Sequence, residues 1–367
     1  MSINLYDFPS LHPESFQKEL SQRFSLILKE GSFIEGPYNQ LFQEEFASMQ
    51  QAKFCQLVGN GTDALEISLL ALGIKRGDKV GVPAITFFAS AEAILNIGAI
   101  PVLIDIDPET ALISPASLEK NLVTHDLKAI MPVHIFGLPA PMKELEQICQ
   151  KHHIYILEDA AQAHGAFYID SKKPIGSRNN LTTFSFYPTK NLSACGDAGA
   201  ILCPKAQLES RIAEIKNHGR GSKEILGRNS RCDHMQAATL HLKLPAIEQQ
   251  NAKRKLIAKK YHHAFQDIEL ELLPEIYLDH SSFHLYPVRL ETPEKRFALA
   301  DHLKADGIGS ANFYDYCLSE LPVLKEAPGD IPNALSLRGR FLCLPIHPFL
   351  DDRDVAKVVH SVKTFFT

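Results

Sequence analysis

The sequence lacks the features that would place it in several specialised classes of protein. Its seven cysteines are odd in number, scattered, and nowhere spaced as CxxC, so they indicate neither a zinc cluster nor a disulfide framework. We therefore expect reduced thiols in a cytoplasm. The first residues lack the basic end and apolar stretch of a signal peptide. With 38 basic against 43 acidic residues, a net charge of -5 argues against a partner such as nucleic acid.

The chain also lacks an uninterrupted hydrophobic run of membrane-spanning length. Residues 80–104 come closest, with Glu92 as their single charge, but Pro83, Gly98 and Pro101 divide them. We expect a strand, a buried helix and a second strand there, within a core and without membrane contact.

What is present is an ordinary globular composition, with 45% hydrophobic and 22% charged residues over 367 positions. Strand-length apolar runs alternate with helical stretches, which predicts an α/β fold with a mostly parallel central sheet flanked by helices. The predicted strands are 54–58, 80–85, 101–104, 130–135, 154–157, 182–186 and 199–202. A long helix follows, from 235 to about 263. We place a domain boundary there, giving a large domain at 1–247 and a smaller α+β domain at 248–367.

Two charged side chains stand where predicted strands end. Asp159 ends one strand, and ligands of parallel sheets sit at the carboxyl ends of strands. The alternative role for Asp159 is to cap the turn that follows it. Lys190 lies among Phe, Tyr, Pro and Leu, where desolvation would depress its pKa and favour a nucleophilic amine. The alternative for Lys190 is a solvated charge whose stem packs on apolar neighbours.

A glycine turn, Gly59-Asn60-Gly61-Thr62-Asp63, joins strand 54–58 to the following helix. Glycine permits close approach of a ligand, and a helix N-terminus offers free N–H donors for a phosphate. A plain N-cap at Thr62 is the alternative. An anion site, a carboxylate and a lysine at one sheet edge together indicate the cofactor pyridoxal 5'-phosphate, which needs all three.

The sequence resembles the nucleotide-sugar aminotransferases of the DegT/DnrJ/StrS group, which are pyridoxal-phosphate-dependent and have fold type I. The resemblance covers about residues 31–350. The blocks that carry it, in chain order, are GSFIEGP at 31–37, NGTDAL at 60–65, PAITF at 83–87, VHIFG at 133–137, EDAAQAHGA at 158–166, SFYPTKNL at 185–192, NHGR at 217–220 and GRNSR at 227–231.

The resemblance implies a role for each matching residue. Lys190 would form the imine with the cofactor and move the proton, and Asp159 would pair with the pyridinium nitrogen. The remaining cofactor contacts would be Gln162 at the phenolic oxygen, Phe87 on the ring face, Gly61, Thr62 and Ser185 at the phosphate, and Asn229 at the phosphate of a neighbouring subunit. That last role implies a homodimer with shared active sites. The alternatives are a core aromatic for Phe87 and a loop residue bonded to local backbone for Asn229.

The sequence indicates fewer residues for substrate binding than for cofactor binding. His164 and Tyr314 are the candidate substrate-binding residues, and a structural role is the alternative for each. Segment 312–319 departs from the Tyr-Pro-x-Pro-Leu-His block of many relatives, which puts sugar recognition in doubt. The adjacent pairs His152–His153 and His262–His263 point in different directions on helices, so we assign no metal.

Because Lys190 is retained, the resemblance implies transamination rather than the dehydration catalysed by relatives that have histidine there. The expected reaction moves an amino group from an amino acid, with L-glutamate the first candidate, to a nucleotide-linked 3-keto or 4-keto deoxysugar. The expected product is an amino sugar for a polysaccharide or a glycosylated metabolite. The alternative is other chemistry of the same cofactor, as in a sugar dehydratase or a cyclitol aminotransferase. A non-enzymatic regulator on this scaffold is a third hypothesis.

Overall fold

A computed structural model describes residues 2–367 as an α/β fold. Its strands, in chain order, are β1 Phe54–Val58, β2 Lys79–Pro83, β3 Ile100–Ile104, β4 Leu127–Ile130, β5 Tyr155–Asp159, β6 Leu181–Ser185, β7 Gly199–Cys203, β8 Tyr286–Arg289 and β9 Phe341–Leu344. Its helices are α1 Phe8–Leu11, α2 Glu14–Glu30, α3 Pro37–Met49, α4 Gly61–Ala71, α5 Ala89–Asn96, α6 Pro115–Thr124, α7 Met142–His152, α8 Ala206–Lys216, α9 His234–Lys243, α10 Ile247–Phe265, α11 Tyr277–His280, α12 Pro293–Ala305, α13 Pro332–Leu337 and α14 Asp352–Phe365.

Strands β1 to β7 form one sheet in the order β1-β7-β6-β5-β4-β2-β3. All pairings are parallel except those of β7, which runs antiparallel to both β1 and β6. The strands are largely buried because helices cover both faces, as their continuous apolar runs require. The predicted fold class is confirmed.

Two predicted elements differ from the structure, and proline explains both. The strand predicted at 130–135 shares only Ile130 with the observed β4, which ends there, before Pro132, and Ile135–Gly137 forms a 3₁₀ turn. The helix predicted at 235–263 is divided into α9 and α10 by a 3₁₀ turn, Leu244–Ala246, because Pro245 has no N–H to continue an α-helix.

The remainder of the chain packs around α10 and a two-stranded antiparallel sheet of β8 and β9. Helices α10 and α12 both contact α14. The predicted domain boundary at residue 247 coincides with the first residue of α10. The division at that point stays a prediction.

Residues 80–104 fold as β2, α5 and β3, in agreement with the expected strand, buried helix and strand. Within residues 2–367, no helix combines the length and apolar character needed to cross a membrane. All seven cysteines are free.

Candidate active site

The predicted site residues lie at one edge of the large sheet. Asp159 is the last residue of β5 and Ser185 the last of β6, while Gly61 begins the helix that follows β1. Because β7 runs antiparallel, its first residue, Gly199, pairs with the last residues of β1 and β6 at this same edge. The sheet topology therefore brings together segments far apart in sequence.

The glycine turn approaches Ser185 so closely that only glycine fits at position 61. A Cβ on Gly61 would lie 2.7 Å from the Ser185 Cβ. The N-cap of α4 is Asn60, whose Oδ1 accepts the N–H of Asp63 at 2.8 Å, so the suggested cap at Thr62 is wrong. The first turn of a helix has no intrahelical acceptors for its N–H groups, so those of Gly61 and Thr62 are free for an anion.

The turn is held in place by residues on its other sides. The Ser230 Oγ accepts the Gly59 N–H at 3.0 Å. A Cβ at Gly199 would lie 2.4 Å from the Asn60 carbonyl oxygen, so glycine is required at the start of β7 as well. These contacts give the turn a fixed shape before any ligand binds.

Asp159 is almost fully buried, and each of its carboxylate oxygens accepts a hydrogen bond. Ser90 Oγ donates to Oδ2 at 2.8 Å, and the Ala161 N–H donates to Oδ1 at 3.1 Å. The Thr86 hydroxyl in turn lies 3.0 Å from Ser90 Oγ. Asp159 thus also makes the turn-capping contact considered as its alternative role, while its orientation is set by α5.

Lys190 is half-buried rather than a solvated surface charge. Burial lowers the pKa of its amine to about 8, and the negative charge of Asp159 opposes that shift. The two predicted reacting groups are therefore close enough to interact electrostatically. A lysine with this pKa is neutral far more often near pH 8 than an exposed one.

Gln162 and Tyr314 are brought together although 152 positions separate them in the chain. The Gln162 Nε2 donates to the Tyr314 hydroxyl oxygen at 3.0 Å, and its Oε1 accepts the Phe136 N–H at 2.6 Å. Tyr314 is buried, which raises the pKa of its hydroxyl well above the usual value. The divergent segment 312–319 therefore reaches the site through Tyr314.

Phe87 and His164 have opposite surroundings. Phe87 is 59% exposed at the site edge, so it is not the core aromatic considered as the alternative. His164 is fully buried, with ring centres 5.2 Å from Phe184 and 5.5 Å from Phe186. Burial lowers its pKa to about 3, and the charge of Lys190 adds to the effect. This environment favours a structural role for His164 over substrate contact.

Asn229 is exposed on a segment that packs against α4 of its own chain. Its Oδ1 accepts from the Arg231 guanidinium at 2.8 Å and 3.1 Å, so it is not bonded to local backbone as the alternative required. Arg228 forms an ion pair with Glu66 in α4. Within residues 2–367, no cluster of three or more His, Cys, Asp or Glu side chains has the geometry of a metal site.

Three residues that line or orient the site were not singled out from the sequence, namely Ser90, Arg254 and His284. Ser90 stands in the first turn of α5, where serine usually serves the helix itself. Arg254 and His284 lie in the region assigned to the smaller domain. A charged residue on the apolar face of α10 was the available signal for Arg254.

The arrangement of these residues at the sheet edge defines a class of protein. A mostly parallel sheet presents a phosphate turn, a buried acid and a half-buried lysine at one edge, which is the arrangement of a fold type I pyridoxal-phosphate-dependent transferase.

Comparison with known proteins identifies the family. A profile of the DegT/DnrJ/EryC1/StrS aminotransferase family matches residues 14–363, and the chain belongs to that family. It is 35% identical to the erythromycin biosynthesis sensory transduction protein EryC1 of Saccharopolyspora erythraea, over 99% of both chains. It is also 35% identical to a dTDP-3-amino-3,4,6-trideoxy-alpha-D-glucose transaminase of Streptomyces venezuelae, over 95% of this chain and 93% of that protein.

A solved structure agrees with these sequence matches. The crystal structure of S. venezuelae DesV in complex with a ketimine intermediate superposes with a TM-score of 0.92 and 32% identity, covering 99% of this chain and 98% of DesV. Enzymes of the family are pyridoxal-phosphate-dependent aminotransferases, as the sequence predicted. The close approach of Gly61 to Ser185, the lowered pKa of Lys190 and the exposed ring of Phe87 all fit that cofactor.

Proposed function

We propose that this aminotransferase moves an amino group from L-glutamate to a nucleotide-linked 3-keto or 4-keto deoxysugar. The observation that carries the proposal is the half-buried Lys190 amine within the electrostatic reach of Asp159 at the sheet edge. The nucleotide-linked amino sugar in the name of the S. venezuelae relative supports the class of acceptor. Other chemistry of the cofactor, as in a dehydratase or a cyclitol aminotransferase, has no comparable support.

The surroundings of Lys190 and Asp159 support the roles proposed for them. The bound cofactor supplies an aldehyde for covalent attachment and a protonated ring that withdraws electrons from the reacting carbon. Lys190 would hold the cofactor through its neutral amine and, when free, would be placed to move a proton at the reacting carbon. Asp159, whose orientation is fixed by Ser90 and Ala161, would keep the ring nitrogen protonated.

The other predicted contacts bind and orient the cofactor. The N–H groups of Gly61 and Thr62, with the Ser185 hydroxyl, hold the phosphate at the N-terminus of α4. Gln162, whose Oε1 accepts the Phe136 N–H, would contact the phenolic oxygen. Phe87 would pack on the face of the cofactor ring, and Asn229 of the second subunit would contact the phosphate. Tyr314 would form one wall of the substrate site.

The proposed assembly is a homodimer whose two sites share residues. Supporting it, exposed apolar side chains precede Asn229 in the chain and lie beside the residues that follow it: Leu226 is 93% exposed, Phe33 49% and Ile34 44%. The Phe33 carbonyl oxygen accepts the His234 N–H at 2.8 Å, which places Phe33 and Ile34 beside those following residues. Apolar surface of this kind is typical of a protein interface. We also propose a cytoplasmic location, supported by the free cysteines.

The decisive experiment follows the visible absorbance of the purified holoenzyme. Borohydride should bleach the band and leave the cofactor attached to Lys190 in a peptide map, whereas Lys190→Ala protein should show neither result. L-glutamate alone should convert the cofactor to its amine form, and a panel of nucleotide-linked keto sugars should then reverse the change. NMR of the product would identify the aminated carbon. Full turnover by the Lys190→Ala protein would overturn the proposal, and binding without amino transfer would indicate a regulator.

A further inference from the structure

Arg254 is a buried cation that forms no ion pair with a carboxylate of residues 2–367. Its side chain is 6% exposed, and the Nη1 group donates to the Ile346 carbonyl oxygen at 3.0 Å. Its Nε has no hydrogen-bond partner among the described residues. Burial lowers the pKa of Arg254 to about 10. An arginine so placed is costly unless something else completes its interactions.

Arg254 and Lys190 both line one cavity. Tyr6 and His284 form further parts of its wall. His284 is nearly fully buried, its Nδ1 has no partner, and its pKa is lowered far below the ordinary value by burial and by the charges of Lys190 and Arg254. The acidic side chain in the wall, Asp7, accepts the Ser10 N–H instead of pairing with Arg254. The cavity therefore has an excess of positive charge.

Arg254 is held in a fixed relationship to the lysine loop. The Nδ2 of Asn191, the neighbour of Lys190, donates to Asn251 Oδ1 at 3.0 Å and to the Ser282 carbonyl oxygen at 2.9 Å. Asn251 and Arg254 are three residues apart in α10 and share a face of the helix. The same asparagine thus fixes both the helix that carries Arg254 and the segment that carries His284.

We propose that Arg254 binds a carboxylate of the amino donor in this cavity. The inference rests on the proposed function, which requires the donor amine to react where the Lys190 amine lies. Glutamate has two carboxylates within a few bonds of that amine, and a guanidinium binds a carboxylate through two parallel hydrogen bonds. Such a carboxylate would supply the acceptors that the buried Nε lacks.

The test compares three donors in the first half-reaction, followed by the visible absorbance of the holoenzyme. The donors are L-glutamate, its α-amide L-isoglutamine and its γ-amide L-glutamine. In wild-type protein, one of the two amides lacks the carboxylate that Arg254 binds. The kcat/KM for glutamate should exceed the kcat/KM for that amide by about 10-fold or more. Arg254→Gln should lose that preference, and the amide affected identifies which carboxylate Arg254 holds. The matched control is Lys253→Gln, an exposed charge on the same helix, which should behave as wild type.

A binding measurement makes the test independent of turnover. Glutarate has two carboxylates and no amine, so it should raise the thermal midpoint of wild-type protein and inhibit glutamate competitively. Both effects should be lost in Arg254→Gln or, if that variant does not bind cofactor, strongly reduced in Arg254→Lys. Equal losses with all three donors, or unchanged glutarate binding in a folded variant, would overturn the inference. If wild-type protein bound glutarate through Arg254 but did not react with glutamate, the proposed donor would be wrong and the carboxylate site would stand.

Discussion

Ser90 Oγ donates a hydrogen bond of 2.8 Å to Asp159 Oδ2, linking the first turn of α5 to the end of β5. With the Ala161 N–H on Oδ1, this bond fixes the plane of a buried carboxylate. Thr86 stands behind Ser90 at 3.0 Å and completes a chain of hydroxyl groups. The Asp159 carboxylate is therefore oriented before the cofactor binds. Ser90, Thr86 and Ala161 set this orientation through hydrogen bonds, as supporting residues around a binding group commonly do.

Ser90→Ala should weaken cofactor binding by about 10-fold or more, because a hydrogen bond to a charged group contributes roughly 1.5–3 kcal/mol. Ser90→Thr keeps the hydroxyl and should stay close to wild type. Titration of apoenzyme with pyridoxal phosphate, read from absorbance, measures the change. An unaltered dissociation constant in Ser90→Ala would show that Asp159 needs no support from α5.

Gly61→Ala should reduce cofactor affinity and stability together, because its Cβ would lie 2.7 Å from that of Ser185. Overpacking of this kind costs about 1–3 kcal/mol. Gly59→Ala is the matched control, since its Cβ would meet neighbours at an ordinary 3.4 Å. Thermal midpoints and cofactor titrations of both variants test this, and equal behaviour of the two would contradict the close-approach argument.

Much of the architecture could be predicted because strand and helix periods are local properties of the sequence. Asp159 and Ser185 lie at the carboxyl ends of strands and the glycine turn follows one, so the strand directions alone predicted that they meet at one edge. Tertiary contacts could not be predicted in this way. The burial of His164 between two phenylalanines, the hydrogen bond from Gln162 to Tyr314 and the unpaired Arg254 depend on segments that only folding brings together.

The shared-site proposal predicts complementation between two inactive proteins. Lys190→Ala lacks the attachment point and Asn229→Ala lacks the contact to the neighbouring phosphate, so each homodimer should be impaired at both sites. A mixed dimer contains one intact site. Co-refolding equal amounts should give about one quarter of wild-type activity, because half of the dimers are mixed and each has one working site of two. Activity no higher than that of the two homodimers would argue against a site shared between subunits.

The lowered pKa of Lys190 predicts a pH-dependent gain in apoprotein stability for Lys190→Met. The buried amine loses its proton near pH 8, whereas in the unfolded chain it does so near its ordinary value of 10.5. Between these values the unfolded chain binds more protons, so the wild-type free energy of unfolding rises with pH across that window. Below pH 8 the full cost of burying the ammonium is present, and above 10.5 it has vanished.

The stability difference between Lys190→Met and wild type should therefore be largest at pH 7 and fall to a constant by about pH 10.5. Urea unfolding measures it, with Lys53→Met, at an exposed lysine, as the matched control. A flat difference for Lys190→Met would mean that the amine is solvated in the folded chain.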